Sequence, residues 1–414
     1  MNVELPKDWK WVKLGEVCHT TSGGTPNRRE IKYYNGTIPW VKSGELDRGV
    51  ITDTEEKISE EAIKNSSAKI FPNGTLLIAL YGATIGKLAF LGVEAATNQA
   101  ICGIYQNENI ISTYLYNYLF HKKQKLVGQG IGGAQPNISQ TILKDLDLPL
   151  PPIPTQQAIV SKIEELFSEL DKGIEKLRTA QQQLKTYRQS VLKWAFEGRL
   201  TNENVNERQL PMGWIPIAIK DVTEMNPKIP NREDIDYEME VQFLPMKLVE
   251  AVINKIHLSE IRKYNEVLKG SYTPFIDGDI IFAKVTPCME NGKIAIVDKL
   301  KNGIGFGSSE FHVVRAGPRL INKYIFYYLV QDRFRHEAAN EMTGAVGLRR
   351  VPKQFIENYI IPLPSLTEQS EIIQEIESRL SVADKMEESI TQSLQQAEGL
   401  RQSILKKAFE GKLV

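Results

Sequence analysis

The chain has 414 residues, of which 42% are hydrophobic and 25% are charged, a composition typical of a folded protein of two or three domains rather than of a disordered one. Its 51 basic and 51 acidic side chains give a net charge of zero, which argues against a protein that binds DNA alone by neutralising phosphates. No signal-peptide pattern opens the sequence, and the longest apolar stretch, 75–93, is too short and too interrupted by glycines to cross a bilayer. We therefore expect a cytoplasmic protein.

The cysteines and histidines do not form a recognisable metal site in the sequence. Cys18, Cys102 and Cys288 are far apart, so neither a disulfide framework nor a zinc-ligand spacing is present, and the five histidines are scattered. We expect no metal in this chain.

The first predicted element is a mixed α and β region over residues 1–150. The apolar run 75–80 lies between Asn and Gly residues, which is typical of a strand, and 114–125 has helical spacing. Tyr114 and Tyr118 lie four residues apart on one face of that helix. We expect them to pack in the core rather than to stack on bases.

A long helix is predicted next, within residues 151–205. Apolar residues recur there with the 4-3 spacing of a coiled-coil seam, interrupted once at Gly173. About 40 residues at about 1.5 Å each would form a rod about 60 Å long. The seam residues are Ile159, Ile163, Leu166, Leu170, Leu177, Ala180, Leu184, Tyr187, Val191 and Trp194.

Both elements then occur a second time. The segment 148–200 aligns without a gap on 361–413, and its closing stretch RQSVLKWAFEGRL matches RQSILKKAFEGKL at an offset of 213 residues. Such a repeat indicates duplicated structural units. Residues 206–364 are therefore predicted to form a second mixed region, with a second helix in 365–414. The seam of that helix contains Ile373, Ile376, Leu380, Ala383, Ile390, Leu394, Ala397 and Ile404.

These elements predict an α+β fold of four consecutive segments. Two similar mixed α/β regions, 1–150 and 206–364, would each be followed by a helical segment, 151–205 and 365–414. Because a duplicated chain often folds as a homodimer does, the two helices are expected to pair as an antiparallel coiled coil with pseudo-twofold symmetry.

No catalytic motif is present in the sequence. There is no Gly-Lys-Ser/Thr of a nucleotide-binding loop, and the only Pro-Pro pair, Pro151-Pro152, lacks the preceding acid or amide of an amino-methyltransferase loop. Glu30 and Lys32 have the Glu-x-Lys spacing of many nucleases but no Pro-Asp precedes them. A non-enzyme is expected. The alternatives are a divergent DNA methyltransferase or nuclease with DNA-reading modules, and a coiled-coil adaptor without a DNA role.

The order of motifs resembles a known family over nearly the whole chain. LPLPP at 148–152 and IPLP at 361–364 each join a variable region to a long helix, as in the specificity subunit of type I restriction–modification systems. The stretches 38–46, 286–293 and 305–311 are similar to parts of that family's target-recognition domains.

The resemblance implies a protein that reads a split DNA target. Each of two target-recognition domains would read one half-site, and the helices would set the spacer between the half-sites. Two methyltransferase subunits would dock on the chain and carry S-adenosylmethionine and the adenine methylation, and ATP-dependent restriction subunits would join them. No cofactor is then expected on this chain.

Candidate DNA-reading residues follow from the chemistry of base edges, because Arg, Lys, Asn and Gln match the donors and acceptors of the major groove. The glycine-containing loops 128–139 and 343–353 carry several of them, and others follow an apolar strand or end a helix. A surface loop or a solvated helix end is the alternative for each. The candidates are Lys42, Ser43, Lys122, Lys123, Gln135, Asn137, Lys247, Arg349, Arg350 and Lys353.

One further set recurs unchanged at the ends of the two helices. A repeated Arg-Gln-Ser suits the docking of one partner on each half, although a helix end packed within the chain is the favoured interpretation. The residues are Arg188, Gln189, Ser190, Arg401, Gln402 and Ser403.

Overall fold

A computed structural model of the chain describes residues 4–129, 137–202, 205, 209–230, 232–252, 254–345 and 347–414. Contacts divide the chain into two compact units. Unit 1 contains Met1–Arg178 and Thr391–Val414, and unit 2 contains Thr179–Ile390. Each unit thus includes one mixed α/β region and part of each long helix. The four segments expected from the sequence are consecutive along the chain, whereas each compact unit combines two separate ranges. The boundaries of the four segments stay a prediction.

The mixed region of unit 1 contains eleven strands and four short or medium helices among the described residues. The strands are β1 (Lys10–Lys13), β2 (Thr20–Ser22), β3 (Ile38–Val41), β4 (Val50–Ile51), β5 (Glu56–Ile58), β6 (Ile70–Phe71), β7 (Leu76–Ala79), β8 (Leu88–Leu91), β9 (Ala95–Thr97), β10 (Ile101–Ile104) and β11 (Asp147–Leu150). The helices are α1 (Leu14–Val17), α2 (Glu60–Lys64), α3 (Ser112–Gly128) and α4 (Gln140–Lys144).

Two sheets and a two-stranded ribbon organise these strands. The sheets have the orders β2-β10-β7-β8-β4 and β5-β3-β9-β6, and β1 pairs with β11. Strand β7 shows why the sheets stack, because alternate side chains of a strand point to opposite faces. Leu77 and Ala79 join the cluster that contains Val41 and Ala95 of the second sheet. Leu76 and Ile78 face the cluster formed with α3 and the long helices.

Unit 2 repeats this plan in its own mixed region. The strands are β12 (Ile215–Ala218), β13 (Thr223–Met225), β14 (Glu240–Leu244), β15 (Glu260–Lys263), β16 (Thr273–Ile276), β17 (Ile280–Ala283), β18 (Ile294–Ile296), β19 (Ile304–Gly307), β20 (Phe311–Ala316) and β21 (Ile360–Leu363). The helices are α6 (Tyr264–Val267), α7 (Asn322–Val330), α8 (Asp332–Asn340) and α9 (Lys353–Asn358). Its sheets have the orders β13-β20-β17-β18 and β15-β14-β19-β16, and β12 pairs with β21.

Two helices of 44 residues each are α5 (Ile153–Phe196) and α10 (Leu366–Phe409). In unit 1 the start of α5 packs against the end of α10, with Ile159 and Ile163 in one buried cluster with Ile404 and Ala408. In unit 2 the end of α5 packs against the start of α10. The helix segments are therefore antiparallel within each unit.

The predicted seams are confirmed by burial. Ile159, Ile163 and Val191 of α5 are buried, and the remaining predicted seam residues of that helix are half-buried. The α10 seam residues are likewise buried or half-buried. The predicted α+β class, with two mixed regions and two long paired helices, is confirmed. Across the described residues, no helix combines the length and apolar character needed to cross a membrane.

Candidate nucleic-acid interface

A buried glutamine fastens the start of each long helix to the mixed region of the same unit. The Gln156 side chain accepts a hydrogen bond from Ile111 N at 2.9 Å and donates to the carbonyl oxygens of Asn109 and Pro151. Both ends of the amide are thus satisfied, as a fully buried polar group requires.

The same anchor occurs 213 residues later in unit 2. Gln369 accepts from Ile321 N at 2.8 Å and donates to the carbonyl oxygens of Arg319 and Pro364. The duplication therefore preserves the join between helix and mixed region.

Aromatic contacts fasten the other end of each helix. In unit 1, Phe409 packs edge-on against Tyr114 and Tyr118, and in unit 2 Phe196 packs in the same way against Tyr324 and Tyr328.

The tyrosine hydroxyls donate to backbone carbonyls of β11 and β21. Burial raises the pKa of these tyrosines, which keeps the hydroxyls protonated as donors. The expectation that Tyr114 and Tyr118 pack in the core is confirmed, and in unit 2 Tyr324 is buried while Tyr328 packs half-buried against the same cluster.

Two loops form an exposed surface in unit 1, the unit 1 loop surface, made of residues 80–87 and 137–139. The backbones of Tyr81 and Asn137 form a β-bridge, and Ile138 N donates to Leu80 O at 2.9 Å. The side chains of Tyr81 and Asn137 are exposed. Asn137, predicted to read DNA, thus stands on a fixed backbone, whereas Gln135 lies outside the described residues.

The corresponding loops in unit 2 form the unit 2 loop surface, made of residues 284–293, 343–345 and 347–352. Val285 and Arg350 form the β-bridge here, and Val351 N donates to Lys284 O at 2.8 Å. Arg350 therefore occupies the place that Asn137 has in unit 1. The two loop surfaces share one backbone arrangement and carry different side chains.

Arg350 forms a two-point ion pair with Glu310. Its Nε donates to Glu310 Oε2 at 2.9 Å and its Nη2 to Oε1 at 2.7 Å. The guanidinium lowers the pKa of the Glu310 carboxyl. A fork of this kind fixes the plane of an arginine better than a single contact does.

The two other candidates of this loop, Arg349 and Lys353, form weaker ion pairs than Arg350 does. Arg349 Nη2 lies 3.3 Å from Glu290 Oε1 and its backbone N donates to Thr286 Oγ1, while Lys353 forms an i,i+4 pair with Glu357. Both cations are partly exposed and remain close to the unit 2 loop surface.

Lys42 and Ser43 follow β3, as expected from the sequence. The Lys42 Nζ contacts Glu55 at 2.8 Å and Glu56 at 3.1 Å, and hydrogen bonds to these carboxylates raise its pKa. The Lys42 charge is thus largely compensated within the protein. Lys247, by contrast, is exposed, and its pair with Glu260 is longer, at 3.4 Å.

Lys122 and Lys123 lie near the end of α3. Burial lowers the pKa of Lys122, whose Nζ lies 5.4 Å from the centre of the Tyr118 ring. The Lys123 stem packs beside Gly86. Neither lysine is fully exposed.

The repeated arginines near the helix ends form ion pairs within their own units. Arg188 pairs with Asp384 and Glu387 in unit 2, and Arg401 pairs with Asp171 in unit 1.

The neighbours of these arginines differ in exposure. Gln189 accepts from Asp332 N, and Ser190 donates within its helix to Thr186 O, whereas Gln402 and Ser403 are exposed. The packed interpretation accounts for the arginines, and partner binding stays a prediction for the set.

The acidic partners of the arginines were missed from the sequence. Glu290 and Glu310 lie within the stretches 286–293 and 305–311, whose resemblance to target-recognition domains could have drawn attention to them. Their pairing with residues 349 and 350 follows from the fold, since β20 brings Glu310 beside Lys284. Within the described ranges, no group of His, Cys, Asp or Glu side chains is placed to hold a metal ion.

The chain belongs to the family of type I restriction modification DNA specificity domains, whose sequence profile matches it twice, over residues 6–178 and 211–397. The EcoDI specificity subunit of a type I restriction enzyme of Escherichia coli is 25% identical over 431 residues, covering 99% of this chain and 90% of that subunit. The MjaIX specificity subunit of Methanocaldococcus jannaschii is 27% identical, covering 87% of this chain and 84% of that subunit.

Sequence identity is higher in a shorter alignment with another relative. The EcoAI specificity subunit of Escherichia coli is 40% identical over 198 residues, an alignment that covers 48% of this chain and only about a third, 33%, of that subunit's length. The HsdS subunit from Thermoanaerobacter tengcongensis has a similar fold, with a TM-score of 0.61 at 19% identity over 99% of this chain and 98% of that one. A chain from a type I R-M system complex reaches a TM-score of 0.75 at 20% identity, with 99% of both chains covered.

Proposed function

We propose that this chain is the non-catalytic specificity subunit of a type I restriction–modification complex. Each unit would read one half of a split double-stranded DNA target through its loop surface, and the long helices would set the spacer. Two methyltransferase subunits and the restriction subunits would assemble on the chain. They would supply S-adenosylmethionine, ATP and the chemistry, and the complex would act in the cytoplasm.

The observation that carries this proposal is the relation between the two loop surfaces. Asn137 and Arg350 occupy equivalent places on the same backbone arrangement, as do Tyr81 and Val285. The glutamine and phenylalanine contacts between mixed region and helix recur in the two units, whereas the exposed loop residues differ. A protein that reads two different half-sites needs this combination, because base readout depends on the side chains presented to the groove.

The net charge of zero supports a shared interface. A DNA reader without excess positive charge gains little from phosphate neutralisation by itself. Phosphate contacts would therefore come largely from the partner subunits.

The direct test maps methylated adenines across the genome of cells with and without this chain, in the presence of its companion subunits. The proposal expects one split motif to lose its methylation when the chain is removed. Replacing residues 1–150 with the matching region of a relative should then change one half-site only. An unchanged methylation map would contradict the proposal.

The alternatives give other results with the purified chain. A divergent methyltransferase or nuclease would bind S-adenosylmethionine or cut DNA alone. A coiled-coil adaptor would retain no DNA selectively even when the partner subunits are supplied.

A further inference from the structure

We propose that Arg350 reads a guanine in the half-site recognised by unit 2, and that Glu310 is the positioning residue that holds the arginine for this contact. The inference rests on the proposed function. To that function the inference adds the base that is read and the residue that reads it.

The number of N–H donors that Arg350 has left unused supports this role. A guanidinium has five N–H groups. Nε and one N–H of Nη2 donate to Glu310, and one N–H of Nη1 donates to Leu348 O at 3.2 Å. One N–H of Nη1 and one of Nη2 remain, and in the described part of the chain no acceptor takes them.

These two free N–H donors of Arg350 match guanine. Guanine presents two acceptors, O6 and N7, side by side in the major groove, whereas adenine places an amino donor beside N7. Two free donors on neighbouring nitrogens of the guanidinium can therefore satisfy both acceptors of guanine, whereas on adenine one of them would meet a repelling N–H group. Pyrimidines offer no such acceptor pair in the major groove.

The position of Arg350 is fixed before any DNA arrives. Its backbone exchanges hydrogen bonds of 2.8 and 3.0 Å with Thr343 and forms a bridge with Val285. The Glu310 fork then fixes the side chain. Less conformational freedom is lost on binding when a contact is arranged in this way.

Another arginine of unit 2 shows what a purely structural fork looks like. Arg315 makes the same two contacts, at 2.7 Å each, to Asp279, whose side chain is 1% exposed. The Arg315 side chain is 20% exposed, whereas that of Arg350 is 45% exposed. Arg350 thus presents its guanidinium to the surface, and Arg315 does not do so to the same degree.

The test uses the full complex of this chain with its companion methyltransferase subunits. Methylated motifs are mapped in cells for the wild type, Arg350→Ala, Glu310→Gln and the control Arg319→Ala, which removes an exposed charge of unit 2 away from the loop surface. We expect Arg350→Ala to relax one guanine position of one half-site, with discrimination there falling on the order of tenfold. Glu310→Gln should weaken the same position, and Arg319→Ala should change none.

The unaltered half-site reports that each variant folds and assembles. A retained guanine in Arg350→Ala, with or without uniformly weaker methylation, would overturn the inference, since a phosphate contact carries no base preference. If Arg350→Ala abolished methylation, bound sequences are selected from random DNA with the purified complex carrying Arg350→Gln. Glutamine matches adenine rather than guanine, so loss of the guanine preference supports the inference and a retained guanine overturns it. Absence of any split motif in the wild type would instead refute the proposed function.

Discussion

Gln156 and Gln369, which stand 213 residues apart, make the same three hydrogen bonds in their respective units. Each accepts from the backbone N–H at the start of a mixed-region helix and donates to two carbonyls. The duplicated chain therefore keeps its internal joints and varies its exposed loops.

Replacing Gln156 or Gln369 with Ala should lower the free energy of unfolding by about 1–3 kcal/mol, because each change leaves buried backbone groups without a partner. Denaturant unfolding followed by circular dichroism measures the loss. Gln157→Ala, one position along the same helix and exposed, is the matched control and should change little. Equal effects at 156 and 157 would contradict the anchoring role.

Truncating Phe409 or Phe196 to Ala should cost about 3–5 kcal/mol, since each fills a buried position against two tyrosines. The effect should be local to one unit. Hydrogen exchange should speed up in α3 for Phe409→Ala and in α7 for Phe196→Ala. Exchange that accelerates equally in both helices for either variant would argue against this division of contacts.

The stability of unit 1 should depend on pH through His121. Burial against Phe409 lowers the pKa of His121 from its ordinary 6.5 to about 4. Between these values the unfolded chain binds a proton that the folded chain excludes, so stability is complete above about pH 6.5 and is lost as the pH falls towards 4. His121→Gln should flatten this dependence in urea unfolding between pH 7 and 5. An unchanged slope would mean that other groups cause it.

Replacing Arg188 with Ala should destabilise the helix pair of unit 2 by less than about 1 kcal/mol, because its partners Asp384 and Glu387 are largely exposed. A double-mutant cycle with Asp384→Ala measures the pair, and high salt should reduce it. Arg178→Ala, exposed on the same helix, is the control.

The same variant tests the predicted docking of a partner. If Arg188→Ala unfolds almost like the wild type but no longer co-purifies with the methyltransferase subunit, Arg188 contacts that subunit. Normal co-purification would assign Arg188 to the helix pair alone.

Asn137→Ala should change the half-site read by unit 1 and leave the other unchanged. Asparagine offers the donor and acceptor pair that matches adenine, so we expect a weaker preference for adenine at one position, by about tenfold. Methylation mapping measures it, with Asn65→Ala, exposed in the same unit, as the control. An identical motif for Asn137→Ala would exclude base contact there.

The helices and their pairing were predictable because they depend on local periodicity and on a repeat. The seam positions from Ile159 to Trp194 follow a spacing that only a helix brings to one side. The core tyrosines followed from the same reasoning.

The strand order of the mixed regions was not predictable, because it depends on contacts distant in sequence. Strand β3 pairs in parallel with β9, more than fifty residues along the chain, and β1 pairs with β11. The acids that hold Arg349 and Arg350 come from such distant segments. The sequence therefore revealed the cationic loop 343–353. It did not reveal that acidic side chains of the same unit already neutralise part of the charge of that loop.

The ribbons β1–β11 and β12–β21 place the entry and exit of each mixed region side by side, with Lys10 opposite Leu150 and Ile215 opposite Leu363. The residues between the two strands of a ribbon therefore leave the helical part of the chain and return to it at the same place. A genetic crossover in each strand would exchange the whole region between them, and the joint with the helices would persist when the incoming region supplies the same backbone groups to the glutamine and the same tyrosines to the phenylalanine. Under the proposed function, new target combinations would then arise by recombination without new helices.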